Sequence, residues 1–170
     1  MKSIVLSSAL IATACLMASP SANAVTVNRY STGNASARCQ GALPGFAGTI
    51  RMRPLAAANI GSSPVFVSCG WLSDQSNTSV DSMGLYARTS GGVDVSLSCT
   101  ASVGYATGSV LYSTKAVTLL ADGSQDSIYW YGSDFGGSID PVEPLSVSCQ
   151  LPAGAELNDM YFNYQEDVGA

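Results

Sequence analysis

The chain has 170 residues, with twelve acidic side chains, seven basic ones, no histidine and a formal charge of −5. Sparse charge with an acid excess disfavours nucleic acid and anionic membrane surfaces as partners, because both reward clustered Lys and Arg. The lack of His removes the usual general base for a Ser or Cys nucleophile, and the commonest side-chain metal ligand with it.

Residues 1–24 read as a secretory signal peptide. Met1-Lys2 supplies a positive start, residues 4–17 are apolar apart from Ser and Thr, and Pro20 precedes the small triplet Ala22-Asn23-Ala24. That order is the one a signal peptidase recognises, with Val25 as the first mature residue. A membrane anchor is the weaker reading, because the run is short and no second span follows. Lipidation at Cys15 is a third reading, although Ala12-Thr13-Ala14 lacks the Leu or Val that usually opens such a motif. Residues 25–170 then suffice for one domain with a real core and are too few for two.

Turn residues recur about every ten positions along the mature chain, and no long helical stripe appears,. Between the turns lie expected strands at 25–30, 48–55, 65–71, 83–88, 93–101, 109–112, 116–121, 127–131, 145–151 and 160–164. The one rival for helix is the Ala-rich stretch 55–59, which Pro54 and Gly61 limit to about a turn,. Short strands at this spacing predict an all-β fold, an antiparallel β-sandwich of the Ig-like/Greek-key or jelly-roll type. Three strands carry nearly the same ending: Val65-Phe66-Val67-Ser68-Cys69, Val95-Ser96-Leu97-Ser98-Cys99 and Leu145-Ser146-Val147-Ser148-Cys149. Alternate residues of a strand share a face, so each copy sends two aliphatics and a thiol inward, with Ser or Phe outward. The same alternation puts Val117 with Leu119, Ile128 with Trp130, and Met160 with Phe162 and Tyr164.

Without Cys15, four cysteines remain, Cys39, Cys69, Cys99 and Cys149, and an even count in an exported chain suggests two disulfides,. Three connectivities are open. Cys39–Cys69 with Cys99–Cys149 is the preferred one, since each bond then staples one half of the chain. Zinc is disfavoured, because no two cysteines lie close in sequence,.

Chemistry is harder to find. Ser113 and Lys115 share a strand face, which is weak support for a Ser–Lys hydrolase in a chain crowded with Ser. Asp126, Asp134, Asp140 and Glu143 bracket the run Tyr129-Trp130-Tyr131 and could form a glycosidase pair only if two carboxyls converge,. The loops 122–126 and 134–140 are oxygen-rich but match no complete calcium loop. Arg51 and Arg53 share a face and are expected to pair with carboxylates of the acidic second half, where nine acidic residues and no basic one follow Lys115; an anion or partner site there is the sharper, less favoured reading,. The most suggestive pattern is the run of aromatics. With Ile128 and Trp130 inward, Tyr129 and Tyr131 lie side by side outward, and Asp126 and Asp134 could add hydrogen bonds. Flat rings with acidic acceptors suit a glycan platform or a protein interface.

The segments Ala37-Arg38-Cys39-Gln40, Arg51-Met52-Arg53-Pro54-Leu55, Phe66-Val67-Ser68-Cys69 and Leu145-Ser146-Val147-Ser148-Cys149 resemble small exported proteins of Gram-negative bacteria. Leu157-Asn158-Asp159 and Glu166-Asp167-Val168-Gly169 add to this resemblance, which implies export. In size, disulfide count and Ser-rich strands the chain is more loosely similar to spore-coat-U-like and pilus-subunit proteins, which form Ig-like sandwiches. It departs from the pilin pattern, since Tyr164 is not penultimate and no Gly stands where a donor-strand motif wants one. The sequence thus predicts a non-enzymatic structural or binding domain in the periplasm, at the cell surface or secreted. It needs no cofactor or metal and contacts protein or glycan. A self-associating fibre or coat subunit, or a small carbohydrate-active enzyme with carboxylates near Trp130, are the alternatives.

Overall fold

A computed structural model describes residues 25–71, 79–137, 139 and 145–169. The expected signal at 1–24 and the carboxylates Asp140 and Glu143 lie outside the described residues. Eleven strands form two antiparallel sheets. They are β1 (Thr26–Asn34), β2 (Cys39–Gly41), β3 (Ile50–Arg53), β4 (Ala56–Asn59), β5 (Val65–Trp71), β6 (Val80–Thr89), β7 (Val95–Gly104), β8 (Val110–Leu119), β9 (Asp126–Tyr131), β10 (Leu145–Leu151) and β11 (Ala155–Asp167). A single helical turn, α1 (Ala35–Arg38), joins β1 to β2, and the Asn34 side chain caps it by accepting from the Ser36 amide,.

One sheet runs β3-β4-β11-β6-β9, with β1 also paired to β11, and the other runs β2-β5-β10-β7-β8. The chain crosses between sheets at every step except the β3–β4 and β7–β8 hairpins. The orders β4-β11-β6-β9 and β5-β10-β7-β8 are those of an eight-stranded jelly roll, extended here by the first three strands,. The expected sandwich is therefore present, in its jelly-roll form.

Alternation builds the core as anticipated. Val65, Val67 and Cys69, Leu97 and Cys99, and Leu145, Val147 and Cys149 are buried, facing Met83, Leu85, Ile128, Trp130, Leu157, Met160 and Phe162 of the other sheet. Both disulfides form with the preferred pairing, Cys39–Cys69 and Cys99–Cys149. Each joins directly opposed residues of neighbouring strands inside the five-stranded sheet. They therefore hold one sheet together and leave the two sheets to be joined by other means. The two tryptophans supply part of that link. Trp71 of β5 donates Nε1–H to the Tyr161 carbonyl of β11 (3.1 Å), and Trp130 of β9 donates to the Ser113 carbonyl of β8 (3.0 Å). Each buried indole N–H thus has a partner, and each bond crosses from one sheet to the other.

Three local expectations needed revision. Within the Ala-rich stretch, residues 56–59 form strand β4, because Ala56 pairs back with Arg53 of β3 across a tight turn and a neighbouring strand overrides Ala's helical preference,. The segments at 109–112 and 116–121 are one strand, β8, registered against β7 from Val110 to Leu119. The three-residue β2 was not foreseen. Its pairing with β5 opposes Cys39 to Cys69.

Candidate functional site

The outward face of the six-stranded sheet collects tyrosines from four strands. In β9, Ile128 and Trp130 are buried while Tyr129 and Tyr131 turn outward. Strand register then places their neighbours. One row across the sheet reads Thr32, Tyr161, Gly84, Tyr129, and the next reads Tyr30, Asn163, Ser82, Tyr131. Tyr86 stands two residues along β6 from Gly84 and opposite Ser127, on the same face.

Three of these rings interlock. Tyr129 meets Tyr86 edge to face at 6.0 Å between centroids, and Tyr161 likewise at 6.1 Å. The Tyr86 and Tyr129 hydroxyls are in direct hydrogen-bond contact. Burial, reinforced by the bond to Tyr86, pushes the Tyr129 hydroxyl up to about 12,. Gly84 makes this cluster possible, because a Cβ there would lie 2.5 Å from Tyr129 Cδ1. The missing side chain lets Tyr129 lean across β6 toward β11. Tyr30 and Tyr131, at 72% and 52% exposure, flank the cluster. Asn163, Ser82 and Thr32 set amide and hydroxyl groups between them.

The expected acidic partners are placed differently from one another. Asp134 lies beside Tyr131, but its Oδ2 accepts from Lys115 Nζ (2.6 Å) and from the Tyr131 amide (2.8 Å). Burial alone would raise this carboxyl; the Lys115 and Tyr131 bonds and the Lys115 charge outweigh it and hold the group below the usual range,. Lys115 Nζ also donates to the Tyr129 carbonyl and sits 5.7 Å from the Tyr131 ring centroid,. Asp126 alternates to the side of Ile128 and Trp130, pairs with Ala87, and accepts from the Ser127 amide (2.7 Å). The two aspartates are therefore not on one face with the tyrosines. Asp122 accepts from the Ser124 amide within its turn, and the Ser124 bonds hold its carboxyl below the usual range. Ser113 receives Trp130 at its carbonyl, and Lys115 is held by Asp134, so the Ser–Lys pairing has no independent amine. Among the described residues, no group of three or more His, Cys, Asp or Glu could hold a metal ion.

Farther along the same face, a third row reads Arg51, Ala58, Glu156, Arg88. Glu156 is buried to 3% side-chain exposure, and Arg88 and Arg53 cover it at 2.5 and 3.2 Å, each arginine about half exposed. Burial opposes the charge, but bonds from Arg88 and Asn158 and the two guanidinium charges leave the carboxyl below its ordinary range,. Asn158 donates to Glu156 Oε1 (3.2 Å), while its own Oδ1 is buried without a partner among the described residues. Arg51 is exposed and has no carboxylate partner among the described residues.

Tyr129 and Tyr131 were legible from the alternation of one strand. Tyr30, Tyr86 and Tyr161 were missed as companions. The apolar neighbours of Tyr86 (Leu85, Ala87) and of Tyr161 (Met160, Phe162) mark each as outward, but nothing local says that β11, β6 and β9 lie side by side.

No family model matches this sequence, and no curated protein matches it. Solved structures similar in architecture include the C-terminal CBM6 of LamC, a marine laminarinase from Zobellia galactanivorans. It is 9% identical, covers 79% of this chain and 98% of its own, and has a TM-score of 0.47. A family 11 carbohydrate-binding module from Clostridium thermocellum, in complex with a β-1,3-1,4-mixed-linked tetrasaccharide, is 8% identical over 82% of this chain and 86% of its own, with a TM-score of 0.42. TmCBM61, in complex with β-1,4-galactotriose, is 10% identical over 81% and 88%, with a TM-score of 0.44.

Proposed function

We propose that this chain is an exported, non-catalytic binding domain that holds a glycan on the tyrosine face of its six-stranded sheet. The observation that carries the reading is the convergence of Tyr30, Tyr86, Tyr129, Tyr131 and Tyr161 in successive rows of one outward face. Aromatic rings offer flat apolar area to the C–H faces of a sugar, while their hydroxyls and the neighbouring Asn163 and exposed Thr32 offer hydrogen bonds,. The interlocked Tyr86, Tyr129 and Tyr161 are already ordered, so binding there costs little further side-chain entropy,. Asp126 and Asp134 are each committed to backbone amides, which supports a binding rather than a hydrolytic role. Two disulfides fit an oxidising compartment, in line with removal of residues 1–24 on export,.

The test is a glycan array with the purified protein, repeated with Tyr131→Ala and Tyr30→Ala. Both residues are exposed, so the variants should keep their stability. Loss of tenfold or more in affinity is expected, equivalent to about 1.4 kcal/mol. A wild-type protein that binds no glycan at any practical concentration would remove the reading.

A further inference from the structure

Resting on the tyrosine face as the glycan site, we infer that its ligand is an acidic glycan whose anionic groups are received by Arg51 at the arginine end of the same face. The charges of the molecule are unevenly satisfied. Arg29 pairs with Glu166, Arg53 and Arg88 with Glu156, and Lys115 with Asp134. Arg51 and Arg38 have no such partner among the described residues. Arg38 is half-buried, its side chain laid against Gly33, where an added Cβ would fall 2.1 Å from its Nε. Arg51 is exposed and stands on the tyrosine-bearing face.

Strand pairing gives the layout. The row Arg51, Ala58, Glu156, Arg88 crosses four adjacent strands, about 14 Å at the usual strand spacing,. Arg88 is two residues from Tyr86 along β6, about 7 Å in an extended strand,. A chain of sugars lying over the tyrosines therefore reaches the arginine row without leaving the face. Three guanidinium groups gather there against Glu156 and the exposed Asp159 of the β11 bulge. Asp81, which accepts from Gln165, lies at the opposite end. That local excess of positive charge sits in a chain of net charge −5, whose last basic residue is Lys115. Glu156 is already covered by Arg53 and Arg88, which leaves Arg51, among the described residues of this row, as the guanidinium open to an incoming anion. Its planar fork matches an oxyanion with two parallel hydrogen bonds, which carboxylate and sulfate both accept.

The experiment measures binding of wild-type protein, Arg51→Gln and Arg51→Glu to three probes of equal length. The probes are a neutral galactan oligosaccharide, an oligogalacturonate and a sulfated galactan oligosaccharide. Melting temperature is recorded for each variant. The expected result is preference for one or both acidic probes, with Arg51→Gln lowering that affinity about three- to tenfold and Arg51→Glu lowering it further, while neutral binding is unchanged. Raising salt from 0.05 to 0.5 M should weaken the wild type toward the Arg51→Gln level, because exposed pairs are screened. The better acidic probe identifies the anion as carboxylate or sulfate. Equal or stronger binding of the neutral probe, insensitive to both variants, overturns the inference and leaves the tyrosine site standing. Acidic binding that ignores Tyr131→Ala but falls with Arg51→Gln overturns the shared site. Binding of none of the three probes overturns the inference, while the tyrosine site stands or falls on the glycan array.

Discussion

The two outward faces of this sandwich come from the same alternating strands and carry opposite chemistry. Over the six-stranded sheet lie tyrosines, an arginine row and a buried carboxylate. Over the five-stranded sheet, one row reads Gln40, Ser68, Ser148, Thr100, Thr114 and the next Gly70, Ser146, Ser102, Tyr112, with no charged side chain in either. Hydroxyls there bond to each other across strands, as Thr100 does with Thr114 (2.8 Å) and Ser102 with Ser146 (2.7 Å). Short hydroxyl side chains satisfy one another and lose little entropy on ordering, so that face serves the sheet. The tyrosine face instead presents large rings that remain substantially exposed, and it needed a glycine under Tyr129 to assemble. Exposed rings occur on both faces, since Tyr112 and Phe66 stand on the hydroxyl face, but only the six-stranded sheet brings rings from several strands into contact.

The comparison can be broken at several points. The largest effect belongs under the hydroxyl face, where replacing Cys99 and Cys149 together by Ala should cost about 2–5 kcal/mol in urea unfolding,. A smaller loss would mean that pairing with β7 and β5 already holds β10. On the other face, Glu156→Gln should cost about 1–3 kcal/mol at neutral pH, toward the lower end because its arginines are half exposed,. The folded carboxyl titrates below its unfolded value of 4.5, so this contribution is full above that pH and is lost as pH falls through the lowered folded value,. The gap between wild type and Glu156→Gln should therefore narrow in acid. A constant gap would show that packing, not charge, was removed.

Gly84→Ala should displace Tyr129, reduce glycan affinity and lower stability by about 1–3 kcal/mol, as overpacking does,. An unchanged near-ultraviolet circular dichroism spectrum would contradict the close approach of the two residues. In alkali the sign reverses. The Tyr129 hydroxyl is raised from 10.0 to about 12, so its neutral form contributes stability that is intact below pH 10 and lost between pH 10 and 12,. Tyr129→Phe should flatten that part of the pH–stability curve. The smallest effects are expected at Ser96→Ala and Thr118→Ala, within about 0.5 kcal/mol and without influence on binding,. A binding loss there would erase the distinction between the faces.

Much of the architecture was legible because burial follows a period of two. The Val/Leu-x-Val/Leu-Ser-Cys endings announced inward thiols, and Tyr129 and Tyr131 could be assigned outward from Ile128 and Trp130 alone. Ala56, Ala57 and Ala58 were not legible as strand, because alanine's own preference is helical and only the neighbours β3 and β11 decide,. The Glu156 site was equally hidden, since Arg53 and Arg88 are brought to it by pairing across 103 and 68 residues.

By itself, then, the sequence determined which side of the alternating strands is buried, as in the three cysteine strands and β9, that four cysteines belong inside, and that the chain is acidic. These are local properties, set by alternation and composition. Which strands become neighbours was decided only by the tertiary structure, because register depends on contacts between segments far apart in the chain. That choice put Cys39 opposite Cys69 within one sheet, carried the tryptophan bonds between sheets, and gathered tyrosines from β1, β6, β9 and β11 on the face that also carries Arg51.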